Sequence, residues 1–425
     1  MIKMLILGSD FFTLPVVLEA KKLGAYVIVA DLMDTSPTKE AADESWLIST
    51  NDIDKLEKLC IKNEVTAIMF GASDFNVGNA RILCKRLGLP IYCDNDIAWE
   101  TSRDKSIFKK ACLKNGTPVA KDFFLSDEPS EEELTEINYP VVVKPVDLSG
   151  NRGITFCDTK EELLEGFRLA KSMSDNKNIV IEKKLVGTEH HICYAVSNGE
   201  IRLISFAESN HDKNQASNVY SFSRNSSRFL KQYINEVNES LIKTFKDIGC
   251  KEGIVWVDAM RDENEKKFFI LEMGYRFAAA MASCHLYEKV SGFNSIRWMV
   301  EYAMGIPHAL PKGLNEAYKP TIGLTHMFTK HSANIVRVEG LDVLDAMDNV
   351  YVDMPRRRGG AVRGMATIAL ISMYAENGKE LADTLKIVNE NFKAIDDKGE
   401  NILIYYTDYE NIEKTYLEGL LDFNS

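Results

Sequence analysis

The stretch VVVKPVDLSGNRG at residues 141–153 carries the strongest local signal in this sequence. Its valines predict a buried strand that ends at Lys144, and Pro145 stiffens the exit from that strand. The glycines that follow would let backbone N–H groups approach phosphate oxygens closely, and the lysine would add a positive charge. No GK[ST] follows the glycines, so the loop is not a Walker A motif. By itself, the stretch fits a phosphate-binding loop and a structural turn equally well.

A second signal is IEKKLVGTEHH at residues 181–191. An apolar strand ends in Glu182 and Lys183, the chain breaks at Gly187, and a new strand begins with Glu189. Such a hinge exposes backbone groups that can bind an adenine edge, and the later acid can bind ribose hydroxyls. Taken alone, a surface hairpin with solvated charges is the simpler interpretation.

The third signal is a pair of apolar stretches, GIVWVDAM at 253–260 and FFILEMGYR at 268–276. The charged turn between them predicts a β-hairpin, with Asp258 and Glu272 near matching places on its two arms. Two carboxylates on neighbouring strands repel unless a cation lies between them, and Mg²⁺ prefers oxygen ligands. Arg276 could then hold a phosphate or an acyl phosphate with its planar fork. A hairpin with two exposed acids is the alternative.

Around these segments, the sequence shows three different patterns of predicted strands and helices. Near the N-terminus, apolar strands at 2–8, 25–30 and 65–71 alternate with helical patterns, which is typical of a parallel α/β sheet. In the middle, a helix is predicted at 103–115 with Thr101 and Ser102 as candidate caps. A long amphipathic helix is predicted at 229–248. The last part mixes strands and helices in an α+β pattern.

Composition narrows the class of protein. The chain has 425 residues, enough for two or three domains, and a net charge of −12 that disfavours a nucleic-acid partner. No segment has the length and apolar character of a signal peptide or a membrane span. The 8 cysteines are dispersed without a CxxC pair, which favours free thiols over disulfides or zinc. We therefore expect a cytoplasmic enzyme with no membrane partner.

The order and spacing of the three signals resemble the ATP-grasp superfamily, in the branch of the carboxylate-amine ligases, the carbamoyl-phosphate synthase large chain and biotin carboxylase. The resemblance implies a Rossmann-like parallel α/β domain at 1–93 and a central ATP-grasp domain at 94–305. A small lid subdomain would lie at about 117–185, and a small α+β domain at 306–425.

The same resemblance implies roles for individual residues. Asp258 and Glu272 would be the metal ligands, and Arg276, Lys144 and Glu272 the catalytic residues. The implied ATP-binding residues are Lys105, Lys144, Ser149, Gly150, Gly153, Glu182, Lys183, Leu185 and Glu189. Substrate contacts are expected among the polar residues at strand ends and loops, namely Ser9, Asp10, Asp74, His211, Arg224 and Arg276.

One position departs from the pattern of the family. Its usual metal motif is Glu-x-Asn-x-Arg, whereas this chain has Glu272-Met273-Gly274-Tyr275-Arg276. Glycine offers no side-chain oxygen, so a second magnesium ion would lose a ligand. Water or a bridging Glu272 could compensate, and a single-metal site is the alternative.

The function implied by the resemblance is an ATP- and Mg²⁺-dependent ligase, with Mn²⁺ as an alternative metal. A carboxylate would attack the γ-phosphate to give an acyl phosphate, and an amine or other nucleophile would then displace phosphate and form a C–N bond. Its partners would be small-molecule substrates, with a homodimer as the expected assembly.

Four alternatives stay open. The enzyme could resemble a carbamoyl-phosphate synthase or a biotin carboxylase, although no glutaminase triad or biotin-carrier lysine motif occurs. The protein could also be a non-catalytic ATP-binding protein. An NAD-dependent oxidoreductase is disfavoured because GSDFFT at 8–13 replaces the G-x-G-x-x-G motif of that fold.

Overall fold

The computed structural model describes residues 1–145, 153–175, 177–211, 221–225, 228–278, 284–314, 321–354 and 359–415. The N-terminal unit is a four-stranded parallel sheet in the order β3-β2-β1-β4, with helices between its strands. Its strands are β1 (Lys3–Leu7), β2 (Tyr26–Asp31), β3 (Glu44–Leu47) and β4 (Ala67–Phe70). Its helices are α1 (Leu14–Lys22), α2 (Pro37–Ala41), α3 (Ile53–Lys62) and α4 (Asp74–Leu87). The predicted parallel α/β domain is confirmed.

Two helices then lead to the centre of the molecule, α5 (Asp96–Arg103) and α6 (Lys105–Lys114). The prediction of Thr101 and Ser102 as caps was wrong, because both lie inside α5. Asp104 starts α6 instead, and its carboxylate accepts hydrogen bonds from the amides of Ser106 and Ile107. An aspartate in an extended conformation is a strong N-cap, and it places Lys105 at the first helical position.

A small antiparallel sheet in the order β5-β8-β6-β7 forms the next layer. Its strands are β5 (Asp122–Phe123), β6 (Val141–Pro145), β7 (Thr155–Cys157) and β8 (Ile179–Lys183), with α7 (Glu131–Thr135) and α8 (Lys160–Met173) beside them. Strand alternation puts Val141 and Val143 into a separate apolar core and leaves Lys144 on the other face. A capping box begins α8, since Thr159 and Glu162 cap each other.

The main sheet has eight antiparallel strands in the order β13-β12-β9-β10-β11-β14-β18-β16. These are β9 (Gly187–Ser197), β10 (Glu200–Asn210), β11 (Phe222–Asn225), β12 (Gly253–Asp262), β13 (Phe268–Gly274), β14 (Thr321–Phe328), β16 (Val350–Asp353) and β18 (Thr367–Ala375). The predicted boundary at residue 305 falls between strands that belong to this one sheet. The helices α11 (Cys284–Ser291) and α12 (Ser295–Ala303) lie between β13 and β14 in the chain.

A three-stranded sheet in the order β17-β15-β19 completes the C-terminal part. It contains β15 (Ala333–Glu339), β17 (Gly360–Val362) and β19 (Lys393–Asp396), with α13 (Leu341–Asp345) and α14 (Gly378–Asn391) nearby. Its apolar residues form a second core with β16 and β18.

The amphipathic helix predicted at 229–248 is interrupted. The structure has α9 (Leu230–Tyr233), a π-helical turn at Ile234–Asn238, and α10 (Glu239–Asp247). The extra residue of a π turn shifts the helical register, and here the Asn238 side chain accepts a hydrogen bond from Tyr194 at 2.9 Å. The predicted apolar stripe is still buried, as at Val237, Leu241 and Phe245.

Two sequence-based expectations concern the whole chain. None of the described helices combines the length and the apolar character that a membrane span requires. The seven cysteines whose side chains are described are free and buried thiols, as the dispersed spacing predicted.

Candidate active site

The two predicted metal-binding acids lie side by side on the main sheet. Asp258 on β12 is directly opposite Glu272 on β13, and a β-bulge follows this pair. On its other side Asp258 is directly opposite His191 of β9. Side chains of paired residues on one face of a sheet lie about 4.5–5.5 Å apart at their Cβ atoms. The strands therefore bring both carboxylates to one place.

Each of these acids is paired with a cationic group. The Lys105 ammonium lies 2.6 Å from Glu272, and the Asp258 carboxylate is 2.6 Å from Nδ1 of His191. The side chains of Glu272 and Asp258 are 33% and 28% exposed, so a ligand can reach them. This corner of the sheet therefore attracts positive charge and is open on one side.

Burial and neighbouring charges shift the acid–base behaviour of this group. Burial would raise the pKa of Glu272, but the charge of Lys105, assisted by Lys144, outweighs it and holds that pKa below its usual value. Burial raises the pKa of Asp258 although His191 opposes the rise. Burial would lower the pKa of His191, but Asp258 outweighs it and raises that pKa well above its usual value. Because both pKa values are raised, a proton lies between Nδ1 of His191 and the Asp258 carboxylate. His191 therefore forms a hydrogen bond with one oxygen of Asp258.

A second charged group lies on the small sheet. Glu182 accepts hydrogen bonds from Lys109 at 2.8 Å and from Lys144, and Lys109 also binds Asp122. Burial would raise the pKa of Glu182, but Lys144 and Lys109 outweigh it and lower that pKa. Because the charge of Lys144 also lowers the pKa of Glu272, the predicted phosphate lysine lies within electrostatic range of the acids.

Lys109 is a functional candidate that sequence reasoning missed. It lies on α6 four residues after Lys105, so both lysines project from the same side of the helix. That spacing was a usable signal. Its partner Asp122 lies on the two-residue strand β5, and no sequence pattern identifies it as a functional candidate.

The other nucleotide candidates are placed as follows. Lys183 pairs with Glu265 in the hairpin turn, and Leu185 is partly buried between β8 and β9. Glu189 lies 3.2 Å from Nε2 of His211, so one predicted ribose ligand and one predicted substrate residue meet. Ser149 and Gly150, which were also predicted to bind ATP, lie outside the described residues.

Gly153, the last residue of the glycine loop, needs a conformation that favours glycine. Its φ is +75°, and a Cβ there would lie 2.8 Å from Cγ of Pro145. Gly153 therefore lies tightly against the end of β6.

Arg276 joins the hairpin to the N-terminal unit. Its guanidinium binds Asp74 with two hydrogen bonds, at 2.7 and 3.1 Å, and Asp74 is the first residue of α4. Two residues predicted to contact substrate thus contact each other.

The chain is similar to known proteins in sequence and in fold. Residues 104–310 match the family model described as "Carbamoyl-phosphate synthase L chain, ATP binding domain". The chain is 26% identical over 193 residues to a formate-dependent phosphoribosylglycinamide formyltransferase of Methanocaldococcus jannaschii, covering 45% of this chain and 49% of that protein. It is 27% identical over 211 residues to D-alanine–D-alanine ligase B of Clostridium tetani, covering 46% and 57%. The chain spans about half the length of these curated relatives.

Solved structures show the same fold over nearly the whole chain. The biotin carboxylase domain of a Hydrogenobacter thermophilus 2-oxoglutarate carboxylase superposes with a TM-score of 0.75 and 18% identity, covering 93% of this chain and 90% of that one. An L-amino acid ligase from Bacillus licheniformis gives a TM-score of 0.75 and 16% identity, covering 93% and 99%. Residues 104–310 therefore form an ATP-grasp domain, and the chain as a whole shares the fold of these structures.

The departure at Gly274 has a structural cause in this ATP-grasp domain. Gly274 is directly opposite Trp256 of β12, and a Cβ at Gly274 would lie 2.2 Å from Cε2 of the indole. Any side chain at this position would overlap the ring. Glycine is therefore required wherever Trp256 keeps this orientation.

The residues present fit one magnesium ion. Mg²⁺ takes oxygen ligands in a compact shell and keeps several waters or phosphate oxygens. Asp258 and Glu272 supply two carboxylates on neighbouring strands, at a place that already holds cationic groups. Among the described residues, no group of three or more His, Cys, Asp and Glu side chains could hold a metal.

Two of the predicted substrate residues, Asp10 and Arg224, are engaged elsewhere. Asp10 caps the turn at Phe11–Thr13. The backbone amide of Ser9 donates to Asp31, whereas its buried hydroxyl has no hydrogen-bond partner among the described residues. Arg224 is 2% exposed, and its guanidinium donates to the carbonyl of Ile412. It pairs in register with Glu208, on the sheet face opposite to Asp258.

Proposed function

We propose that this protein is an ATP- and Mg²⁺-dependent ligase that activates a carboxylate as an acyl phosphate and joins it to an amine, or another nucleophile, through a C–N bond. The observation that carries the proposal is the pair of carboxylates Asp258 and Glu272, with Lys105 bound to one of them and Lys144 within electrostatic range. This combination suits a triphosphate, because it offers cation ligands and phosphate-binding ammonium groups at one place.

The residues have separable roles in this mechanism. When bound, Mg²⁺ would supply charge neutralisation and orientation for the transferring phosphoryl group. Asp258 and Glu272 would hold it, and Lys105, which is bound to Glu272 without nucleotide, would turn to a phosphate oxygen. Lys144 would leave Glu182 in the same way, while Lys109 keeps that carboxylate paired.

Arg276 would stabilise the negative charge that develops when the carboxylate is phosphorylated. Asp74 binds the edge of its guanidinium group. The Trp256 ring packs against the face of that group, with the guanidinium carbon 5.1 Å from the ring centre. A group fixed in this way needs little reorganisation during the reaction. Substrate would enter between the N-terminal unit and the hairpin, where Asp74 and Arg276 meet.

The family resemblance and the observed ion pairs together support the remaining assignments as proposals. Gly153 and the glycine loop before it would cover the phosphates, and Glu182, Lys183 and Leu185 would form the adenine hinge. Glu189 would bind the ribose, with His211 beside it. Mn²⁺ would replace Mg²⁺, because both take oxygen ligands in octahedral geometry.

Cellular context follows as a proposal of the same kind. Free buried thiols support a reducing compartment, the cytoplasm. A homodimer is the assembly to test first, because the similar biotin carboxylase domain from Hydrogenobacter thermophilus is a dimer. Light scattering on the purified chain would decide the assembly.

The direct test is a screen for substrate-dependent release of ADP and phosphate with a panel of carboxylates and amines. A ligase releases ADP only when a suitable carboxylate is present, and releases the coupled product when the nucleophile is added. A second candidate, a non-catalytic nucleotide-binding protein, is favoured by the absence of a side-chain ligand at Gly274. Nucleotide binding without any ADP release over the whole panel would support that candidate.

A further inference from the structure

The face of the hairpin that carries the acids has two successive rows. The first row pairs Asp258 with Glu272, and the second pairs Trp256 with Gly274. Residues two apart on a strand point to the same face and lie roughly 7 Å apart. The indole of Trp256 therefore lies one row from the two carboxylates.

In the second row the indole fills the space that a ligand side chain would need. A Cβ added at Gly274 would lie 2.2 Å from Cε2, 2.3 Å from Cζ2 and 2.5 Å from Nε1 of Trp256. Neither arm of the hairpin thus offers a side-chain oxygen ligand in this row.

The indole is held firmly in this position. It is 9% exposed, and it lies between the His191 ring, 5.3 Å away at 36°, and the Arg276 guanidinium, 5.1 Å away. His191 is fixed by Asp258, and Arg276 by Asp74. The ring therefore connects the cation ligand to the arginine that we assign to the developing negative charge.

Within the described part of the chain, the indole N–H has no acceptor. Nε1 of Trp256 is buried and makes no hydrogen bond to any residue there. Leaving a buried donor unpaired destabilises a fold, and a buried indole N–H ordinarily finds a partner. A firmly held, unpaired donor next to a cation site is suited to an acceptor that arrives with the ligand.

Building on the proposed nucleotide site, we propose that this site binds one divalent cation and that the Trp256 indole N–H donates a hydrogen bond to an anionic phosphoryl oxygen at the place a second cation would take. The acceptor is an oxygen of the ATP γ-phosphate before transfer and of the acyl phosphate after it. Trp256 is then a residue that positions the phosphoryl group directly, and Gly274 is the residue that makes room for it.

The first test counts cations. The full-length wild-type chain is dialysed against Mn²⁺ with a saturating non-hydrolysable ATP analogue, and bound Mn²⁺ is measured by electron paramagnetic resonance. We expect one Mn²⁺ per chain, without the exchange-coupled spectrum of a metal pair. The double variant Trp256→Ala/Gly274→Asn, which removes the overlap and adds an amide oxygen, should bind two. Two ions in the wild type would overturn the proposal.

The second test isolates the N–H. Trp256→Phe keeps an aromatic ring between His191 and Arg276 but removes the donor, so affinity for the analogue should fall about ten- to a hundredfold. The Mn²⁺ count should stay at one. Trp46→Phe is the matched control, because its indole N–H donates to Glu44 at 2.7 Å in the N-terminal unit, and it should leave analogue affinity unchanged. Equal affinity in wild type and Trp256→Phe would overturn the role of the indole.

A spectroscopic readout needs no variant. In ¹⁵N-indole-labelled wild-type protein, the Trp256 N–H resonance should move downfield when the analogue binds with Mg²⁺. An unmoved resonance would contradict the hydrogen bond. If wild-type protein failed to bind the analogue at all, the proposed function would fail. If it bound the analogue with two ions, or without a contribution from Trp256, only the present inference would fail.

Discussion

Two adjacent histidines on β9 show how different the two faces of the main sheet are. His190 and His191 alternate across the strand, so their rings lie on opposite faces. His190 packs against Phe206, Phe229 and Phe268, and burial lowers its pKa to about 4. His191 bonds to Asp258, which raises its pKa well above the usual value. One face is built for stability, and the other holds charges available to a ligand.

The opposite face also contains a buried ion pair. Arg224 and Glu208 are directly opposite each other on β11 and β10, and they are 2% and 1% exposed. On the site face, the side chains of Glu272 and Asp258 are about a third exposed. On this sheet, therefore, the charges that the protein itself encloses are structural, and the charges that a ligand can reach are those that we propose to be functional.

The largest expected effect is on the site face. Glu272→Gln keeps the shape of the side chain but removes the charge that would hold the cation. We expect turnover to fall by about a thousandfold or more, with part of the nucleotide binding retained. An assay of ADP release measures the turnover, and calorimetric titration with the ATP analogue measures the nucleotide binding. Normal turnover would refute the role of Glu272.

On the opposite face, breaking the ion pair should affect stability instead. Arg224→Met leaves the Glu208 carboxylate enclosed, and removing one partner of a buried pair costs about 3–5 kcal/mol. Urea unfolding should show this loss, while turnover per folded molecule is retained. Adding Glu208→Gln to Arg224→Met should recover part of the stability. If Arg224→Met instead lost most of its activity while keeping full stability, Arg224 would be a residue that contacts substrate.

His190 makes the opposite face sensitive to acid. Because its folded pKa of about 4 lies below the unfolded value of 6.5, the unfolded state binds more protons between these values. Stability is therefore complete above about pH 6.5 and is lost as the pH falls towards 4, by up to about 3 kcal/mol. His190→Phe should remove this share of the loss. The control variant His331→Phe, at an exposed position, should keep the loss of stability in acid. The free energy of unfolding, measured from pH 7 to 4.5 for both variants, distinguishes their effects.

The smallest effect is expected at the edge of the site. Lys144→Ala removes one charged contact to the triphosphate, worth about 1.5–3 kcal/mol of binding. Lys109 should keep Glu182 paired and the small sheet folded. Calorimetry with the ATP analogue checks the affinity, and unchanged binding would place the phosphates away from Lys144. Lys171→Ala, which removes an ammonium group paired with Asp127 instead of Glu182, is a matched control.

Sequence reasoning reached some parts of the site more easily than others. The hairpin and its paired acids could be predicted, because two apolar stretches around a short charged turn leave little choice of register. The helix cap at Asp104 was missed although aspartate is a strong cap, since Thr101 and Ser102 offered the same chemistry nearby. Arg224 was assigned to substrate because the sequence pattern placed it in a loop, whereas the structure places it on β11.

By itself, the sequence predicted the parallel α/β sheet near the N-terminus, the buried strand that ends at Lys144 and the two acids opposite each other on a hairpin. Those features follow from local periodicity and turn chemistry, which act over a few residues. Only the tertiary structure decided the contacts of Arg276 with Asp74, of Lys109 with Asp122 and Glu182, and of Trp256 with Gly274. Each of these contacts joins separate elements through side-chain packing. The sequence pattern does not indicate which rotamer or which face brings two such groups together.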